Sequence, residues 1–300
     1  MTKADCNVSN CNFEGLPLFT IVMPSLNQVK YLEDAIQSVI SQGYPNLEFI
    51  IIDGGSTDGS VEIIRRYQDH LDYWVSEPDS GQCGAINKGF ALATGDWMAW
   101  LNSDDIYLPG ALWLVAGTIQ ANAGCNWVVG SVDVSDVQLH RLGVFEPVCR
   151  TDDWMDFVCT KRKNGASLPQ PGSFWSRRAW EVAGPLDETL HYAMDHEYWG
   201  RLAHYGFRPL CLQKSVAVFR QHMQSKTANG VRGFIADERR VIDNWIERVS
   251  ATEERILINY RRTLKLRFIF NRLQQRIYFW LTTLHCVVKR SKKEISHSAD

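Results

Sequence analysis

The sequence predicts an α/β fold, a mostly parallel sheet with helices on both faces, followed by a C-terminal helical extension. Three observations predict it. Apolar β-rich runs alternate with amphipathic helical segments over residues 17–125, each run leads into a polar loop, and beyond about residue 230 the chain turns helical and basic.

The segment Leu18-Phe19-Thr20-Ile21-Val22-Met23 is a short apolar run stopped by Pro24, as in a buried parallel strand. Leu32, Ala35, Ile36, Val39 and Ile40 then recur at helical spacing, and Gly43 and Pro45 end that helix. A second strand, Leu47-Glu48-Phe49-Ile50-Ile51-Ile52, runs into Asp53 and the turn-rich Gly54-Gly55-Ser56-Thr57-Asp58-Gly59, with a helix starting around Val61 and Ile64. Tyr73-Trp74-Val75 reads as a third strand. Ala85, Ile86, Gly89, Phe90 and Ala93 line one helix face, and Trp97-Met98-Ala99-Trp100-Leu101 is a fourth strand. From Val128 to Phe219 the elements read as shorter and less regular, an α+β extension with a helix starting near Asp195.

Composition bounds the function. A net charge of −2 gives no argument for a nucleic-acid partner. The eight cysteines include no Cys-x-x-Cys pair and no clustered histidines, so they read as free thiols. The first residues, Met1-Thr2-Lys3-Ala4-Asp5-Cys6, are polar and unlike a secretory signal, which predicts a cytoplasmic location.

In an open α/β sheet, ligands bind beyond the carboxyl ends of the strands. Ser25 and Asn27, then Asp53, then Glu77 and Asp79, then Asn102-Ser103-Asp104-Asp105 fall there. Alone, the Asp104-Asp105 pair reads either as a solvated turn capping the helix after Pro109 or as a site for Mg²⁺ or Mn²⁺, which relieves carboxylate repulsion and takes its other ligands from a phosphate. A dinucleotide-dependent oxidoreductase is disfavoured, because Pro24-Ser25-Leu26-Asn27 replaces the Gly-x-Gly-x-x-Gly turn.

Across roughly residues 18–225 the order and spacing of these motifs resemble glycosyltransferase family 2 of the GT-A fold. The resemblance rests on Pro24-Ser25-Leu26-Asn27, on Ile51-Ile52-Asp53-Gly54-Gly55-Ser56-Thr57-Asp58-Gly59-Ser60, on Glu77-Pro78-Asp79-Ser80-Gly81 with Ala85-Ile86-Asn87-Lys88-Gly89, and on Leu101-Asn102-Ser103-Asp104-Asp105. It implies a nucleotide diphosphate sugar donor contacted by Pro24, Ser25, Asn27, Asp53, Asp79, Lys88 and Asp104. Asp53 would lie on the base, Asp104 near the ribose, and Asp105 on a divalent cation, Mn²⁺ or Mg²⁺. Asn102 departs from the first aspartate of the family's Asp-x-Asp motif.

Met194-Asp195-His196-Glu197-Tyr198-Trp199 resembles the region that supplies the family's general base, with Met194 in place of a glutamate. Asp195 is implied as that base and Glu197 as the fallback; without the resemblance, Asp195 reads equally as a helix cap. Gln170 and Trp175 resemble the border of the acceptor cleft. Within Arg220-Gln221-His222-Met223-Gln224-Ser225-Lys226, His222 is implied as a second metal ligand and Arg220 or Lys226 as a phosphate partner.

The expected organisation is a flexible N-terminus at 1–16, a GT-A domain at 17–228 (a nucleotide-sugar half at 17–125 and an acceptor half at 126–228), and a basic amphipathic helical tail at 229–300. Between Arg255 and Lys293 there are eleven Lys or Arg and no Asp or Glu, while Phe270, Leu273, Ile277, Leu281, Leu284 and Val288 recur at helical steps. That pattern predicts a helix lying at an anionic membrane surface or packed on protein, too short in its apolar run to span a bilayer. The expected activity is metal-dependent, inverting sugar transfer to a saccharide or lipid-linked acceptor at the cytoplasmic membrane face. The alternative is a nucleotide-sugar-binding scaffold without catalysis.

Overall fold

The computed structural model describes residues 15–149, 153–159, 166–226, 231–264 and 266. The described residues divide into two compact units, the first ending at Phe234 and the second beginning at Ile235.

The first unit opens with the four predicted strands in their predicted order: β1 (Phe19–Ser25), β2 (Leu47–Asp53), β3 (Tyr73–Ser76) and β4 (Trp97–Trp100). Helices α1 (Leu32–Ile40), α2 (Ser60–Arg66) and α3 (Gln82–Leu92) connect them, so β3, β2, β1 and β4 lie side by side and parallel. Pro24 lies inside β1 rather than ending it. This costs no sheet hydrogen bond to β4, because the β1–β4 ladder ends at Val22.

After β5 (Ile106–Tyr107) and α4 (Ala111–Ala121) come β6 (Trp127–Ser135), β7 (Arg141–Phe145), α5 (Met155–Val158), β8 (Ser173–Ser176), α6 (Arg177–Ala183), α7 (Met194–His204) and β9 (Leu210–Arg220). The nine described strands form one mixed sheet, ordered β3-β2-β1-β4-β8-β6-β9-β5 with β7 on β6. The expectation of shorter elements in the second half is corrected here: β6 with 9 residues and β9 with 11 are the longest described strands. Irregular register between Gly130 and Val132 and half-buried polar positions toward the strand ends break the alternation that would have shown their length.

Side chains alternate between the two sheet faces. Phe19, Ile21 and Met23 of β1 face Leu32, Ala35, Ile36 and Val39 of α1 and Leu112, Val115 and Ala116 of α4 in the main core. On the opposite face Gly89 of α3 sits directly over Val22; a Cβ at Gly89 would meet Val22 Cγ1 at 2.5 Å. The same face carries an aromatic cluster in which Trp175 packs against Trp100, Tyr198 and Trp199. Trp199 also stacks on Trp100 and packs against Trp127.

The second unit holds most of α8 (Val231–Ile246) and a helix over residues 251–264. Val241, Ile242 and Trp245 are buried, as are Leu257, Tyr260 and Leu264, and Arg261 pairs with Asp243 at 2.6 Å. Among the described residues no helix is long and apolar enough to cross a membrane. The flexible segment expected at 1–16 and the apolar tail positions from Phe270 onward fall almost wholly outside the described residues.

Candidate active site

The loops that follow β1 and β2 are knitted to each other. Asn27 takes a positive φ of 53°, donates its N–H to Ser56 Oγ at 2.7 Å, and accepts from Thr57 N–H at 2.9 Å through Oδ1. Val29 N–H donates to Asp58 Oδ2 and Gln28 N–H to Ser60 Oγ, each at 3.0 Å. Asp53 is fully buried. Its Oδ2 accepts from Gly55 N–H, Ser56 N–H and Ser76 Oγ at 3.1, 2.8 and 2.7 Å, and its Oδ1 from Ser56 Oγ at 2.5 Å. Three of these bonds fall on Oδ2 and one on Oδ1, so Asp53 shapes this loop mainly through Oδ2, while Oδ1 keeps acceptor capacity.

Ser25 is buried, and its backbone O accepts from Gly54 N–H at 2.8 Å. Asp79 is exposed beside Gly54, where a Cβ would approach Asp79 Oδ2 to 2.8 Å, so glycine permits that close approach. Lys88 is half-buried and paired with Glu77 of the same loop.

Asp104 and Asp105 face different surroundings. Asp105 is fully buried, and its Oδ1 accepts the backbone N–H of Arg220 at 3.0 Å, joining the loop after β4 to the end of β9. Burial, reinforced by the negative charge of Asp104, pushes the Asp105 carboxyl well above the usual carboxylate range. The Asp104 side chain retains 19% exposure, and its Oδ2 accepts from His222 Nε2 at 2.9 Å. Neither aspartate caps α4, whose N-cap is Gly110 with no side-chain cap bond. Of the two expected metal residues, His222 is thus in contact with Asp104 rather than Asp105.

Tyr31, which carries no signal in the sequence pattern, lies between two of these groups. Its ring packs against His222 with centroids 4.6 Å apart and the planes tilted by 39°, and the Arg220 guanidinium lies 4.9 Å from its centroid. Arg220 is buried and paired with Asp34 at 3.0 Å, whereas the side chain of Lys226, the other expected phosphate partner, is exposed.

Asp195 is in the first turn of α7, its Oδ1 accepting from His196 N–H at 2.9 Å, while the N-cap position belongs to Ala193. The helix start is held against α3: Cys83 Sγ lies 2.9 Å from Met194 Sδ and 3.1 Å from Leu190 O. Met194, standing where the resembled motif has glutamate, is thereby part of an apolar contact. Burial drives the Cys83 thiol pKa up to about 12, with the charges of Lys226 and Asp195 both felt there. Asn87 adds a two-point clamp on the loop before α7, accepting from Leu186 N–H and donating to Leu186 O, each at 2.9 Å. Glu188 accepts from Asn87 at 3.0 Å and from Ser80 at 2.8 Å.

Three acceptor-side expectations meet different surroundings. Glu197, the expected fallback base, is buried and paired with Arg201 at 2.8 Å one turn along α7. Trp175 is fully buried in the aromatic cluster and offers no surface to an acceptor. Gln170 bridges inward, from Trp100 O at 2.8 Å to Asn102 Nδ2 at 3.2 Å.

A model of the family described as Glycosyl transferase family 2 matches residues 20–162. A PGL/p-HBAD biosynthesis glycosyltransferase of Mycobacterium bovis is 31% identical over 186 residues, covering 61% of this chain and 68% of that protein. An uncharacterised glycosyltransferase of Nostoc sp. is 27% identical over 173 residues, 56% of this chain, and the match spans only 53% of the relative's length. Among solved structures, Staphylococcus aureus TarS 1–349 in complex with UDP-GlcNAc has a TM-score of 0.61 at 15% identity, covering 82% of this chain and 72% of that one. The mannosyltransferase PcManGT of Pyrobaculum calidifontis, in complex with GDP-Man and Mn²⁺, has a TM-score of 0.58 at 18% identity, covering 84% and 71%. These likenesses show the GT-A fold. The family-model match, together with a mycobacterial relative that is followed over more than two thirds of its length, shows that the chain belongs to glycosyl transferase family 2.

Proposed function

We propose that the protein transfers a sugar from a nucleoside diphosphate donor to an acceptor hydroxyl, with inversion and with a divalent cation held at Asp104 and His222. The observation that carries this reading is the 2.9 Å contact between those two side chains, joined through Asp105 to the end of β9 and placed beyond the carboxyl end of β4. Among the described residues no three His, Cys, Asp or Glu are grouped to hold a metal by themselves. That fits a hard cation which takes one or two protein ligands and completes its shell from a diphosphate. A carboxylate with an imidazole suits Mn²⁺ better than Mg²⁺, which takes oxygen ligands, and a structural relative carries GDP-Man with Mn²⁺.

Asp104 and His222 would hold the cation, which when bound neutralises charge on the leaving diphosphate. The chain's own residues do the rest. Asp105 fixes the acidic loop to β9, Tyr31 fixes the ring plane of His222, and Lys226 brings an ammonium to the same side. The latched loops at Asn27, Asp53 and Asp79 set the shape of the donor cleft, with Pro24, Ser25 and Lys88 in its framework. Asp195, at the start of a helix clamped by Asn87 and Met194, takes the acceptor's proton as the hydroxyl attacks. Asp195→Asn should lower kcat about 10²- to 10⁴-fold with donor binding retained. Steady-state kinetics beside donor titration checks this, and an unchanged kcat would remove Asp195 as the base.

The acceptor is a saccharide or lipid-linked saccharide, met at the cytoplasmic membrane face through the basic tail. Support for this is the sequence pattern from Arg255 to Lys293. The full chain should co-sediment with vesicles containing anionic lipid and stay in solution with neutral ones. Equal partitioning to both would remove the electrostatic part of that reading.

A further inference from the structure

We infer that Asn102 is a positioning residue, the centre of a one-way hydrogen-bonded amide relay that holds Lys226 in the donor site. The inference rests on the donor-site reading above. The direction of the relay is set at both ends. Trp100 O can only accept, so Gln170 presents its Nε2 to it at 2.8 Å, and Gln170 Oε1 accepts from Asn102 Nδ2 at 3.2 Å. Asn102 Oδ1 therefore faces Gln82 Nε2 at 2.7 Å, and Gln82 Oε1 accepts from Lys226 Nζ at 2.8 Å. An ammonium can only donate, so the two ends demand the same orientation of all three amides. Lys226 Nζ also lies 3.3 Å from His191 O, in the loop before α7.

The relay joins four segments: the loop after β4, the turn at Gln170–Gly172, the start of α3, and the chain after β9. It also explains the departure at position 102. Asp105 Oδ2 lies 3.4 Å from Asn102 Nδ2, so an aspartate at 102 would set a second carboxylate against a buried one. It would also leave Gln170 Oε1 without its donor and stop the relay there. An added carboxylate, which on charge alone should attract a cation, is thus expected to harm the site.

The test is a double-mutant cycle read by titrating Mn²⁺ with UDP and Mn²⁺ with GDP into the full chain. Asn102→Asp and Lys226→Met should each weaken nucleotide binding about tenfold, and the double variant should lose little more than either one, because both cut one relay. Binding by Asn102→Asp as tight as wild type, or losses that multiply in the double variant, overturns the relay. Should Asn102→Asp fail to fold, Gln82→Leu replaces it in the cycle, interrupting the same chain without adding charge and with the same expected non-additivity. Should wild type bind neither nucleotide, nor dTDP with Mn²⁺, the donor-site reading falls. The relay is then judged by thermal unfolding of Asn102→Asp, Gln82→Leu and their combination: non-additive losses support it and additive ones overturn it.

Discussion

Asp105 is sealed under the end of β9 with its Oδ1 on the Arg220 N–H, whereas Asp104 beside it is half-buried and touches His222. Asp105→Ala therefore leaves a buried backbone donor without its acceptor and should cost about 1–3 kcal/mol in urea unfolding. A loss within the roughly 0.5 kcal/mol typical of surface substitutions would contradict the buried role. The sequence marks the pair as acidic and follows it from strand to loop, but which aspartate turns inward depends on β9, more than a hundred residues later in the chain. On that placement the cation is proposed at Asp104, where the resemblance implies Asp105. Tyr31 was invisible in the sequence because its partners, Arg220 and His222, are reached only through the tertiary fold. Asn27 and Asp53 are expected from the sequence to meet the donor, and in the fold Asn27 Oδ1 and Asp53 Oδ2 also build the loops.

Among the elements, β1 to β4 were legible because each is a continuous apolar run followed by a polar loop and a periodic helix, a pattern with few other solutions. β6 and β9 were not, since their pairing is long-range and their polar ends mask the period. The α3–β1 contact gives an element-scale prediction. Gly89 lets the helix approach Val22 so closely that an alanine must displace the strand's branched side chain. Gly89→Ala should destabilise the protein by roughly 1–3 kcal/mol through overpacking, despite alanine's better helix propensity. A chemical-denaturation midpoint equal to or above wild type would show that the contact is looser than described. Because α3 also carries Gln82, Cys83, Asn87 and Lys88, the same variant disturbs the latch to α7.

For the molecule as a whole, one sheet brings the donor loops and the helix bearing Asp195 into one compact unit, although their residues span most of the chain. The tail beyond residue 266 adds a basic apolar pattern whose role rests on sequence alone. The proposed cation-dependent nucleotide-sugar site centres on Asp104 and His222. Thermal unfolding of wild type, Asp104→Ala and His222→Ala, with UDP-, GDP- and dTDP-sugars in the presence and absence of Mn²⁺, tests it most directly, since bound donor raises the unfolding temperature by mass action. A rise is expected for wild type with at least one donor, one that needs Mn²⁺ and is lost in both variants. No rise with any donor, or a rise that persists without Mn²⁺ and in both variants, would contradict it.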